Sequence, residues 1–133
     1  MHKKKPKGLK APKGTTVITM DWINTDVLLF FTNKQRKSIA RQLDLEDDEM
    51  FMASTKTIGG MAYSVMHNGV YYNMIFMPEP DLVSLVHECT HMVHMLCDSR
   101  GIPLSMDNTE TIAYMTGHLF QEACAAIQER QEK

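Results

Sequence analysis

The chain has 133 residues, 44% of them hydrophobic and 23% charged, a length and balance that suit one soluble globular domain with its own core. That composition excludes collagen-like, wholly disordered and disulfide-scaffold chains. The longest apolar run, 27–31, is far short of the roughly 18–20 residues that a membrane-spanning helix needs. The net charge of −2 hides an asymmetry, because six of the fourteen Lys and Arg (Lys3, Lys4, Lys5, Lys7, Lys10 and Lys13) stand in the first thirteen residues, leaving 8 basic against 16 acidic residues in 14–133.

The first segment, 1–14, combines Lys, Pro and Gly with almost nothing to bury and reads as a disordered basic arm, with 15–133 as a single domain. Nucleic acid or another anionic surface is a partner expected through this arm only, since the body is acidic; a solubilising leader is the plainer alternative. No apolar segment with a small-residue cleavage site follows, so the arm is not a secretory signal. Cys89, Cys97 and Cys124 are odd in number, lie in apolar helical patterns and form no CxxC. They read as reduced, buried thiols, and the expected compartment is the cytoplasm, away from membranes.

In chain order, the β-branched run 15–22 predicts a strand. Asn24, Thr25 and Asp26 offer helix-capping chemistry, and Ile39, Leu43 and Leu45 among Lys and Arg extend the pattern to a helix over 25–43. The acidic cluster Glu46, Asp47, Asp48 and Glu49 reads as a solvated turn; it lacks the alternate ligand spacing and Gly of a calcium loop. A strand is expected over 50–57, broken by Gly59-Gly60. Two β-prone runs around Asn68-Gly69 predict a hairpin over 61–77, with His67 an exposed residue at its tip. After Pro78 and Pro80 the period changes to that of helices, over 80–98 and 108–130. Strands first, with helices flanking and following, give the α+β class: a short, mostly antiparallel sheet with an N-terminal helix and two C-terminal ones.

Chemistry concentrates in the first of those last helices, at His87-Glu88-Cys89-Thr90-His91, an HExxH sequence. Two His four apart point the same way one turn apart, so their imidazoles can share one zinc ion, while the intervening Glu is placed to activate water. At about 100° per residue, Leu82, Leu85, Val86, Cys89, Val93 and Leu96 share one sector near 340°, whereas His87, His91 and His94 fall at about 140°, 180° and 120°. The histidines therefore face away from the core. His94, another turn along, is placed to line the site rather than to hold the metal.

A catalytic zinc site takes three protein ligands and leaves a position for water. No HxxGxxH continuation follows His91. The last helix supplies a candidate: Ile112, Met115, Leu119, Ala123 and Ala126 form its apolar face, and Glu110 lies almost opposite in the first turn. Eighteen residues separate His91 from Glu110, and a loop over 99–107 can return the second helix antiparallel. The plainer account of Glu110 is a capping box within Asp107-Asn108-Thr109-Glu110.

HECTH, eighteen residues and then Glu110 within Asn108-Thr109-Glu110-Thr111-Ile112-Ala113-Tyr114 resembles the gluzincin group of zinc metallopeptidases, which includes thermolysin-like and aminopeptidase N-type enzymes. It is also similar to small phage and bacterial proteins with an HExxH helix, a Gly-Ile turn and a Glu-containing Ala-Tyr helix. The resemblance covers 81–120. It implies a zincin-like domain holding one Zn2+ per chain, with His87, His91 and Glu110 as ligands and Glu88 as general base and proton shuttle. An acidic residue four positions after the ligand Glu is expected of thermolysin-like enzymes; Tyr114 stands there instead. Candidate donors to the oxyanion are Tyr114, His118, His94, Tyr63 and Tyr71.

Two functions follow. The first is a minimal zinc metallopeptidase acting on a peptide or protein substrate, with the hairpin before the active helix offering an edge strand for an extended peptide. The second is a non-catalytic, zinc-stabilised binding module of phage or mobile-element origin that holds a partner through its basic arm or acidic body.

Overall fold

The computed structural model describes residues 8–54 and 59–132. Strand β1, Thr16–Met20, passes through a single 3-10 turn at Asp21–Ile23 into β2, Thr25–Phe30. Asn24, with φ 50°, closes the turn in the left-handed region that Asn tolerates better than most residues. Thr16 then pairs with Leu29 and Met20 with Thr25, antiparallel.

Helix α1, Asn33–Leu43, starts where Thr32 Oγ1 accepts from Gln35 N at 3.1 Å and Gln35 Oε1 accepts from Thr32 N at 3.1 Å, a complete capping box. The helix expected over 25–43 is therefore two elements, and its first half is a strand. Val27, Leu28, Leu29 and Phe30 are all at most 1% exposed. β2 is covered on both faces, and such a strand shows a continuous apolar run instead of alternation.

The hairpin is found as expected: β3, Met61–His67, and β4, Val70–Phe76, pair from Met61↔Phe76 to His67↔Val70. Asn68 and Gly69, at φ 51° and 78°, have the two positive angles of a tight hairpin turn. β4 lies parallel to β2, with Val27 opposite Asn73, so the sheet order is β1-β2-β4-β3. The sheet is thus mixed: two of its three pairings, β1-β2 and β3-β4, are antiparallel, and β2-β4 is parallel; α1 follows two strands, not one. No strand forms over 50–54; Phe51 sits in a turn and is fully buried. The remainder of the strand expected over 50–57, residues 55–57, lies outside the described residues.

Helices α2, Leu82–Ser99, and α3, Thr109–Gln131, cover one face of the sheet. α2 lies over β3 and β4, and α3 over β1. Val27, Leu29 and Ile75 meet Cys89, Met92, Val93, Leu119 and Ala123 there. On the opposite face Leu28, Phe30, Met74 and Phe76 meet Ile39, Ala40 and Leu43 of α1. The described residues thus form a mixed α/β domain of four strands and three helices. No helix among the described residues is long and apolar enough to cross a membrane.

Residues 1–7 of the expected arm lie outside the described residues. The rest of it packs: Leu9 is 4% exposed, in the cluster on the α1 face, so the domain begins ahead of Thr15. Cys89 and Cys97 are buried free thiols, and burial is the main cause that pushes the Cys89 thiol up to about 12.

Candidate metal centre

Asp81 caps α2, its Oδ1 accepting from Ser84 N at 2.8 Å. The helix buries Leu85, Glu88, Cys89, Met92, Val93, Leu96 and Cys97, which leaves His87, His91 and His94 exposed on the other side. The Nε2 atoms of His87 and His91 stand 3.0 Å apart, with ring centroids 4.5 Å apart. One tetrahedral zinc ion with nitrogens at about 2.0–2.1 Å holds two of them about 3.3 Å apart. The pair therefore fits a shared metal with little movement. His94 is one turn further on, exposed and on the same side.

Glu88 differs from the histidines in being only 8% exposed. It is wedged against the strand that enters β3: a Cβ built on Gly60 would lie 3.0 Å from Glu88 Cγ, 2.8 Å from Met77 Sδ and 3.0 Å from the Phe76 carbonyl oxygen. Gly60 thus lets the backbone pass close enough to pin the Glu88 stem. The sequence marks this pair of glycines only as a chain break; their contact with α2 depends on which helix the strand meets.

β3 is the last strand in the sheet order, and no strand among the described residues pairs with its outer edge. It runs beside α2, where Ser64 Oγ is 3.5 Å from Met95 Sδ. Buried Asn73 ties the strands together beneath, with Oδ1 accepting from Ser64 Oγ at 2.8 Å and Nδ2 donating to Thr25 Oγ1 at 3.2 Å.

Glu110 is not brought to the histidine pair. Leu82 and Leu85 share a cleft with Cys124, Ile127, Gln128 and Gln131, so the first half of α2 lies against the last half of α3. α2 continues to Ser99, eight residues past His91, whereas Glu110 is the second residue of α3. With Leu82 and Leu85 level with Cys124 to Gln131, an antiparallel register puts Glu110 beyond the end of α2, roughly ten residues and about 15 Å along the axis from the level of His91. It is exposed and lines a pocket with Trp22, Thr111 and Tyr114. Among the described residues no three His, Cys, Asp or Glu side chains form a group able to hold a metal ion. The capping-box alternative is not found either: Asp107 lies within the 3-10 turn Met106–Asn108, α3 is capped by Asn108 without a side-chain cap bond, and Glu110 is thus at the second helical position instead of the third.

The candidate oxyanion donors divide between two faces and two edges of the sheet. Tyr114 stacks edge-on against Trp22 at 5.9 Å, and His118 does so at 5.0 Å with its Nε2 3.0 Å from the Thr19 carbonyl oxygen. Both stand over β1, the edge opposite β3. Tyr63 is on the α1 face, where its hydroxyl donates to the Asp48 carboxylate; burial first, then that bond, pushes its pKa up to about 12. Tyr71 is the second residue of β4, five residues from Phe76, which places it about 17 Å along the strand from the Gly60–Glu88 contact. Of the five, His94 alone shares the side of the pair. His67 is no free turn residue: its Nδ1 is 3.9 Å from Asp44 Oδ2 at the end of α1.

No protein-family profile, curated protein or solved structure matches the chain.

Proposed function

We propose that the protein is a small zinc-dependent hydrolase of peptide bonds, built in a zincin-like manner, in which His87 and His91 hold the metal and Glu88 is the general base. The observation that carries this reading is the 3.0 Å separation of two exposed Nε2 atoms on one helix face, with Glu88 next to His87 in sequence. Zinc, when bound, supplies Lewis acidity towards a carbonyl and acidifies water. Glu88 accepts the proton of the attacking water at a carboxylate oxygen and returns it to the leaving amine. The open edge of β3 supports the reading further, because it offers backbone N–H and C=O groups to an extended peptide alongside α2.

Glu110 does not fit as the third ligand in this arrangement, and that observation favours a second reading, a metal-stabilised binding module without catalysis. Glu88→Gln separates the two. For a hydrolase, the variant keeps its zinc and loses cleavage of a mixed peptide library by about 10²–10⁴-fold, the usual weight of a general base. A wild type that binds zinc and cleaves nothing, or a variant as active as wild type, contradicts the assigned chemistry.

A further inference from the structure

Ten of the fourteen Lys and Arg stand either in residues 1–13 or on α1, whose sequence NKQRKSIARQL has four cations and no acid. The fold brings these two stretches together. Leu9 anchors the segment in the core of the α1 face. Gln42 then clamps the backbone of Lys10 at both ends, Oε1 accepting from Lys10 N at 2.7 Å and Nε2 donating to Lys10 O at 3.0 Å. Gln35, the capping residue of α1, donates from Nε2 to the Lys13 carbonyl at 2.9 Å. The amides bond to the backbone of the segment, and the Lys10 and Lys13 side chains are left exposed.

The product is a groove of about 480 Å³ whose charged lining is Lys10, Lys13, Lys34 and Arg41. Like charges held this close repel one another, so the Leu9 anchor and the two glutamine clamps work against electrostatics, and a polyanion relieves the strain by releasing counterions. Arg36 takes no part: it is buried, donating to the Ala53 carbonyl at 2.7 Å and to Asn33 Oδ1 at 2.9 Å. Of the acids that follow α1, Asp44 faces His67 and Asp48 faces Tyr63.

We infer that this groove is a nucleic-acid backbone site, in which the four exposed cations contact successive phosphates. The lining has no large apolar side chain to enter a bilayer; beyond the cations it is Ala, Pro, Thr, Ser and Gln, which suits phosphate and sugar. No aromatic ring lines it for stacking, so binding is indifferent to base sequence. The partner expected of the arm alone is thereby assigned to the arm and α1 jointly.

The test is a salt titration of the full chain on two unrelated fluorescent DNA duplexes, comparing wild type with Lys34→Gln/Arg41→Gln and with a variant carrying Gln at Lys3, Lys4, Lys5 and Lys7. All the substituted groove side chains are exposed, and circular dichroism confirms the fold. Wild type is expected to bind both duplexes alike, with log K falling against log salt at a slope of about −3.6 or steeper, about 0.9 per groove cation. The double variant lowers that slope by about 2 and weakens binding about tenfold or more at about 50 mM salt. Loss of all binding in the tail variant with none in the groove variant overturns the site. So does binding to vesicles of anionic lipid without binding to duplex, or no binding at about 50 mM salt.

Discussion

Tyr63 shows how one side chain can be placed by its neighbours for structure instead of chemistry. Its hydroxyl is drawn to the Asp48 carboxylate, and Phe51 packs edge-on against its ring at 5.2 Å. The pKa of Tyr63 is raised to about 12, mainly by burial, and that of Asp48 is lowered, first by the Tyr63 hydroxyl. A raised folded-state value favours the protonated phenol, so the Tyr63 contribution is intact below its unfolded pKa of about 10 and is lost as pH rises towards 12. The Asp48 value is lowered, so its contribution is intact above about pH 4 and is lost as pH falls. Tyr63→Phe is expected to cost about 1 kcal/mol at neutral pH. The urea midpoints of wild type and variant should converge above about pH 10 and below about pH 4. A gap independent of pH contradicts the pairing. Cys89 also titrates only at high pH, in wild type and variant alike, so it cancels from the comparison.

At the scale of elements, what the sequence makes legible depends on whether a signal is local. The hairpin is local: Asn68-Gly69 between two β-prone runs dictates both strands and their register. α2 is legible in the main: Leu85, Cys89, Val93 and Leu96 are buried and the histidines lie on the other side, but Leu82 and Val86, expected on the buried stripe, are exposed. β2 is not, because four consecutive buried residues have neither period, and a strand between two neighbours looks like part of a helix. The position of Glu110 is the least legible feature. A count of eighteen residues fits a returning helix, but the level at which it returns depends on where α2 ends, and α2 runs on to Ser99. The consequence is measurable. Glu110→Ala is expected to leave zinc content unchanged, since the side chain lies near Trp22 and Tyr114 instead of the histidines. Loss of zinc in that variant would mean that α3 turns or slides to close the site.

At the scale of the whole molecule, two faces of one sheet have separate chemistry. The α2 face holds the histidine pair, Glu88 and the open β3 edge. The α1 face gathers Lys10 and Lys13, which composition alone assigns to a disordered tail, with Lys34 and Arg41 of α1. Leu9 explains the difference: a single apolar residue among lysines and prolines has no periodic context, yet it is 4% exposed once α1 and β4 provide a surface for it. The count of charges is plain in the sequence, but their grouping depends on two glutamines that bond to backbone.

The central claim is that His87 and His91 hold a metal together, and zinc stoichiometry tests it most directly. Elemental analysis of the wild type and of His91→Ala, after dialysis against a weak chelator, should find close to one zinc per chain in the first and almost none in the second, with both folded. A folded wild type without zinc, or His91→Ala with as much zinc as wild type, would contradict it.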